Sequence, residues 1–295
     1  MSDRRSPGGL SDVRSHLDAH GLSPNKHFGQ NFLTDEGILT QIVDAAEISD
    51  ADTVLEIGPG TGALTRRLAE KAGRLVAVEI DRGLAALLSE EFAEEPRVEI
   101  LCADILKTDL YRLFSGELSA ARSSGRPSAA VKVVANLPYY ITTPILLSLL
   151  PETDLFSRFV VMMQREVADR MQASPGSKDY GALTLAVQYY ADPRIVTLVP
   201  PSAFYPQPDV TSAVLLLERP DTPPVAIDDP DRMFALIRAA FGKRRKTLTN
   251  AIAGAPQLGI SPEAVKKALA EAGLDPAVRG ETLSLADFAT LTALL

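Results

Sequence analysis

The sequence predicts an α/β fold, a parallel sheet with helices, followed by a small all-helical C-terminal domain. Three observations carry this reading. From Thr53 onward short β-branched runs alternate with helical stretches, the pattern of βαβ units. The run RPDTPPVAIDDP at 219–230 holds four prolines, which cannot propagate a helix and so mark a boundary. Beyond it the apolar residues recur at helical spacing.

In chain order, TVLEI at 53–57 reads as a strand, followed by a glycine-rich turn and the helix ALTRRLAEKA. RLVAVEI, the helix GLAALLSEEFAEE and the strand RVEILCA come next. VKVVA at 131–135 and FVVMM at 159–163 are short, valine-rich apolar runs, as expected of strands buried on both faces, and TPILLSLL between them reads as a helix. Residues 115–130 are small, polar and aperiodic, so a surface loop is expected there. Segments 231–241, 246–253, 261–273 and 284–294 form the helical tail, with Ser261-Pro262 and Ser284 as helix starts. The expected division is an N-terminal segment 1–33, an α/β domain 34–220 and a helical domain 231–295.

Composition sets the bounds. A chain of 295 residues, 46% hydrophobic, buries a substantial core. Its single cysteine, Cys102, forms no disulfide within the chain and is expected to be a buried apolar filler in a reducing compartment. No signal-peptide h-region and no apolar stretch of about 18 residues occur, so a cytoplasmic protein without membrane contact, and a monomer, is expected. All three histidines precede residue 28 and are expected to be solvated, and no metal-ligand spacing is present. Thirty basic against 38 acidic residues give a net charge of −8, which disfavours non-specific coating of nucleic acid. Any nucleic-acid contact must therefore use a local patch.

The motifs point to one cofactor. Glu56-Ile57-Gly58-Pro59-Gly60-Thr61-Gly62 follows a strand and opens a helix, where Gly58 and Gly60 let the backbone approach a ligand. The spacing G-x-G-x-G departs from the dinucleotide fingerprint and matches the S-adenosylmethionine loop of Rossmann-like methyltransferases. Glu79, at the end of the next strand, is placed to accept from both ribose hydroxyls of an adenosine. Asp104, after the third strand, is placed to accept from the adenine amino group.

Asn136-Leu137-Pro138-Tyr139 comes directly after VKVVA and presents an amide, a rigid turn and an aromatic ring at the same sheet edge. The exocyclic amine of adenine has its lone pair delocalised into the ring, and acceptors aimed at its hydrogens release that lone pair. The Asn136 side-chain oxygen and the Leu137 carbonyl are the candidates, acting by proximity and electrostatics. Tyr139 is the candidate stacking surface for an adenine taken out of its stack. Phe204, in the proline-braced loop PPSAFYPQP, is either a second stacking surface or a core residue. From Arg238 to Asn250 there are five basic side chains and no acidic one, so Lys243, Arg244, Arg245 and Lys246 are candidates for binding RNA phosphates.

Together with KHFGQNFL at 26–33, QREVADR and FGKRRKTLTN at 241–250, these motifs make the chain resemble the ribosomal RNA adenine N6,N6-dimethyltransferases from about residue 24 to the C-terminus. The resemblance implies dimethylation of two adjacent adenines in the 3′-terminal hairpin of 16S ribosomal RNA, within the small subunit or its precursor, late in assembly. It also implies cofactor contacts at Asn31, Leu33, Gly58, Glu79, Asp104 and Asn136, with the FGQNFL segment closing over the cofactor. Departures are His27 where a second basic residue is common, Gly280 where proline is common, and the long 115–130 stretch. The alternatives are a 23S ribosomal RNA adenine methylase of the erythromycin-resistance type, a DNA adenine methyltransferase, and a non-catalytic assembly factor that keeps the fold.

Overall fold

The computed structural model describes residues 10–25, 28–125, 131–220, 222–243 and 246–295. The N-terminal part runs α1 (Leu10–Ala19), β1 (Phe32–Leu33), α2 (Glu36–Ala45), β2 (Thr53–Ile57), α3 (Ala63–Lys71), β3 (Arg74–Glu79) and α4 (Arg82–Glu91). The middle runs β4 (Val98–Cys102), α5 (Leu110–Leu113), α6 (Ser115–Ser123), β5 (Val131–Asn136), α7 (Thr142–Leu149), β6 (Phe156–Gln164), α8 (Arg165–Met171) and α9 (Ala182–Tyr190). The rest runs β7 (Asp192–Val199), β8 (Phe204–Tyr205), β9 (Ser212–Glu218), α10 (Pro230–Gly242), α11 (Leu248–Ala253), α12 (Pro262–Glu271) and α13 (Leu285–Leu294). Two units result: the described residues up to Ala168 with Arg194–Arg219, and those of Asp169–Pro193 with Pro220–Leu295.

The first unit is built on a seven-stranded sheet in the order β4-β3-β2-β5-β6-β9-β7. Strands β2 to β6 are parallel, and β9 runs antiparallel to β6. All five residues of β2 are buried, as expected of a parallel strand covered on both faces, and they include the polar Thr53 and Glu56. On one face Val54, Val134, Val160, Met162, Val214 and Leu216 pack against Ile38, Leu39 and Ile42 of α2 and Leu64 and Leu68 of α3. Asp35 caps α2 by accepting from the Ile38 amide, and Asp81 caps α4 by accepting from the amides of Gly83 and Leu84. The rings of Phe114, Phe156 and Phe159 form an edge-to-face row with centroids 6.2 and 5.6 Å apart. A separate two-stranded ribbon pairs β1 with β8, Phe32 opposite Tyr205 and Leu33 opposite Phe204.

Four expectations need correction. Residues 115–123 are helical, because leucine, alanine and glutamate favour a helix, and Leu118 and Ala121 are buried three positions apart. Glu117 on that helix accepts from Arg74 (2.6 Å) and Thr53 (3.1 Å). Cys102 is exposed rather than buried, since it ends the outermost strand, which has a neighbour on one side alone. His16 is half-buried on α1, and its Nε2 has no hydrogen-bond partner among the described residues; burial lowers its pKa. Finally, 169–193 groups with the C-terminal unit instead of the α/β domain, because Leu185 and Tyr189 of α9 belong to the helical core.

That core gathers Met233, Leu236 and Ile237 of α10, Leu248 and Ile252 of α11, Val265 and Leu269 of α12, and Phe288 and Leu291 of α13. Ser261 caps α12 by accepting from the Ala264 amide, and Ser284 and Asp287 form a reciprocal capping box on α13. The Tyr180 hydroxyl donates to the Leu283 carbonyl at 2.7 Å, which satisfies a polar group inside the cluster. Phe288 is fully buried at its centre. Phe288→Ala is expected to destabilise this unit by about 3–5 kcal/mol, read as a lower urea midpoint by circular dichroism.

Candidate active site

The carboxyl ends of β2, β3, β4 and β5 meet in one cleft, lined by residues that follow each of these strands. Its floor is the loop after β2. Gly58 and Gly60 have φ of 67° and 59°, a region that disfavours L side chains. A Cβ on Gly60 would stand 2.9 Å from the Phe32 ring, and one on Gly58 would meet the Asn136 carbonyl at 3.9 Å. The glycines therefore serve both the turn and the close packing of two walls against it.

Glu79 ends β3 and is 5% exposed. Its Oε2 accepts from the Gly60 amide at 3.1 Å and its Oε1 from the Asp81 amide at 2.9 Å. Burial raises its pKa, while these backbone donors favour the ionised form. Asp104 caps the turn Ile105–Lys107, accepting from the Leu106 amide at 3.1 Å, with Lys107 at 3.2 Å. Ile80 and Ile105, each next to one of these carboxylates, add apolar surface to the same cleft.

On the β5 side, Asn136 donates its side-chain amide to the Asn31 carbonyl at 3.0 Å. A carbonyl only accepts, so the amide nitrogen faces Asn31 and Oδ1 points the other way. Asn31 in turn donates to the Gly29 carbonyl at 3.1 Å, and Gln30 donates to Asp81 at 3.2 Å, which ties the 28–31 segment across the cleft to the cap of α4. The Leu137 amide donates to the Met162 carbonyl, and the Pro138 carbonyl accepts from the Thr142 hydroxyl, so the turn is braced from β6 and α7. The hydroxyls of Tyr139 and Ser212 lie 2.6 Å apart, and burial raises the Tyr139 pKa.

Of the residues singled out in the sequence, Asn31, Gly58, Gly60, Glu79, Asp104, Asn136, Leu137 and Tyr139 line this cleft together. Leu33 does not line it; it borders a smaller recess with Phe32, Glu56, Gly58 and Asn136. Phe204 offers no stacking face. It is fully buried in the sheet core, where pairing with Leu33 and the hydrogen bonds from Thr34 to the Ala203 carbonyl (2.8 and 3.0 Å) hold the N-terminal segment in place. Lys243 and Lys246 lie in the helical unit, both exposed, and Arg244 and Arg245 lie outside the described residues. Sequence reasoning passed over Gln30, Ile80, Tyr140 and Ser212; only the doubled tyrosine at 139–140 offered a visible signal. Among the described residues there is no group of three or more His, Cys, Asp or Glu side chains suited to a metal, and no helix long and apolar enough to cross a membrane.

Under the glycine loop Glu56 is 1% exposed, and its Oε2 has no hydrogen-bond partner among the described residues. Burial, with repulsion from Glu79 added, raises its pKa to about 8. The buried carboxylate of Glu79 beside a glycine cradle that a Cβ would fill, with Asp104 in the same cleft, fits a ligand that carries an adenosine and positive charge, as S-adenosylmethionine does. Below about pH 4.5 Glu56 is protonated in both folded and unfolded chains; between there and pH 8 only the unfolded chain releases the proton, so folding stability falls as pH rises. Glu56→Gln removes this dependence. In urea titrations of the ligand-free protein at pH 5 and pH 8 the variant is expected to lose less stability than the parent, by about 1.4 kcal/mol for each pKa unit of the shift.

The sequence model of the ribosomal RNA adenine dimethylases matches residues 21–295. Ribosomal RNA small subunit methyltransferase A of Alkaliphilus metalliredigens is 50% identical over 282 residues, 96% of this chain and 95% of the relative. The protein of the same name in Moorella thermoacetica is 49% identical, over 93% of each chain. Among solved structures, a dimethyladenosine transferase from Plasmodium falciparum superposes with a TM-score of 0.72 at 27% identity, covering 88% of this chain and 95% of that one. The 23S rRNA methyltransferase ErmE superposes with a TM-score of 0.64 at 26% identity, covering 90% and 99%. With the family pattern matched along nearly the whole chain and the cleft built from its motifs, this protein belongs to the ribosomal RNA adenine dimethylase family of S-adenosylmethionine-dependent methyltransferases.

Proposed function

We propose that the chain methylates the N6 amines of two adjacent adenines in the 3′-terminal hairpin of 16S ribosomal RNA, giving N6,N6-dimethyladenosine late in small-subunit assembly, as a cytoplasmic monomer. The observation that carries this reading is the oriented amide of Asn136 at the end of β5, with its oxygen turned away from Asn31. S-adenosylmethionine, when bound, supplies a methyl group activated by its sulfonium. Glu79 would accept from the ribose hydroxyls and Asp104 from the adenine amine, and the Gly58 to Gly60 backbone and the Asn31 segment would enclose the rest, with Leu33 supporting that segment.

Asn136 Oδ1 and the Leu137 carbonyl accept the hydrogens of the target amine, which holds it in line and directs its lone pair outward. No side chain has to take a proton before the transfer; once the N–CH3 bond has formed, the cationic nitrogen loses its proton to water. Tyr139, fixed by Ser212, stacks on the extruded adenine. Lys243 and Lys246, with Arg244 and Arg245, contact RNA phosphates. Small-subunit specificity is favoured over the 23S type by relatives at 50% and 49% identity against 26% for ErmE. The complete set of acceptors favours catalysis over a purely structural assembly role.

Transfer of labelled methyl to small subunits lacking the modification, with large subunits and duplex DNA in parallel, tests the reading. N6,N6-dimethyladenosine is expected with the small subunit alone; label in the large subunit would reassign the target. Asn136→Ala is expected to lower turnover by about 10²–10³-fold, the scale of losing one preorganised polar group at the reacting centre, with RNA binding retained.

A further inference from the structure

Tyr140 is the most exposed of the large apolar side chains among the described residues, at 58%, and it lines the cleft beside Tyr139. The two tyrosines differ in how they are held. The Tyr139 hydroxyl lies against Ser212, whereas the Tyr140 ring rests against Gly29, where a Cβ would stand 3.4 Å from Cδ1 and 3.6 Å from Cε1. Gly29 is the residue whose carbonyl accepts from Asn31, so the outer ring is supported by the same segment that orients the Asn136 amide. A large aromatic surface left in water at the mouth of an active site marks a place where something apolar docks.

Extruding one base from a strand leaves its neighbour with an uncovered face. Every nucleobase has a π face, and a tyrosine ring covers it without regard to sequence. We propose that Tyr140 forms a second nucleobase subsite at the cleft mouth, stacking on the base next to the target adenine while Tyr139 receives the target itself. This inference rests on the RNA-methylating function proposed above. Among the described residues that line the cleft the charged side chains are Glu79 and Asp104, both acidic, which disfavours a phosphate in the subsite.

The test measures steady-state methyl transfer to small subunits, and to a short RNA hairpin with the nucleotide on either side of the target made abasic in turn. Tyr140→Ala is expected to raise the RNA KM by about tenfold, on the scale of one stacked base, with the loss falling on KM and the cofactor Kd unmoved. Tyr140→Phe, which keeps the ring, restores the KM, and Tyr140→Leu, which keeps apolar bulk without a π face, does not. One abasic substrate should show the same loss with the parent enzyme and no further loss with Tyr140→Ala. An unchanged RNA KM in Tyr140→Ala, an abasic penalty that persists in full in that variant, or a loss confined to the cofactor Kd would each overturn the subsite while leaving the proposed function standing. Absence of methyl transfer by the parent enzyme would overturn both.

Discussion

The in-register parallel pairing of β2, β3, β4 and β5 fixes where the cleft's chemistry can stand. Ile57 lies opposite Val78 and Ala135, and Glu79 lies opposite Cys102, so the chain leaves all four strands at one level. Gly58, Glu79, Asp104 and Asn136 follow from that single alignment, although they span 79 positions of sequence. A slip of one residue in any of these strands would turn its side chains to the opposite face and remove its contribution. The apolar packing of α2 and α3 on the sheet therefore specifies the site as much as it stabilises the fold.

Charge then sorts the two ligands. The cleft offers the carboxylates Glu79 and Asp104 in a chain of net charge −8. Such a field attracts a cationic cofactor and repels phosphates.

Much of this was legible in the sequence because it rests on strong local signals. Valine-rich runs, the glycine loop and the Asn-Leu-Pro-Tyr turn each announce a backbone geometry within a few residues. Phe204 was not legible, since β8 has two residues and no period from which pairing with β1 could be read. The grouping of α9 with the helical core depends on partners such as Met233 and Phe288, far along the chain and invisible to a local window. Cys102 misled because an edge strand and a central strand share the same composition. The orientation of the Asn136 amide belongs to the same class, being set by a carbonyl 105 residues away.

The ribbon of β1 and β8 has a consequence for biosynthesis. Thr34 donates to Ala203 across a separation of 169 residues, and Phe32, which packs on Gly60, pairs with Tyr205. A nascent chain that has emerged as far as Gln164 already holds the five parallel strands, but nothing yet anchors its N-terminal segment over the glycine loop. Because translation is vectorial and domains fold as they emerge, the wall that orients Asn136 is completed after the sheet that carries it. An incomplete translation product would thus display the motifs of a methyltransferase without the enclosure that makes them one.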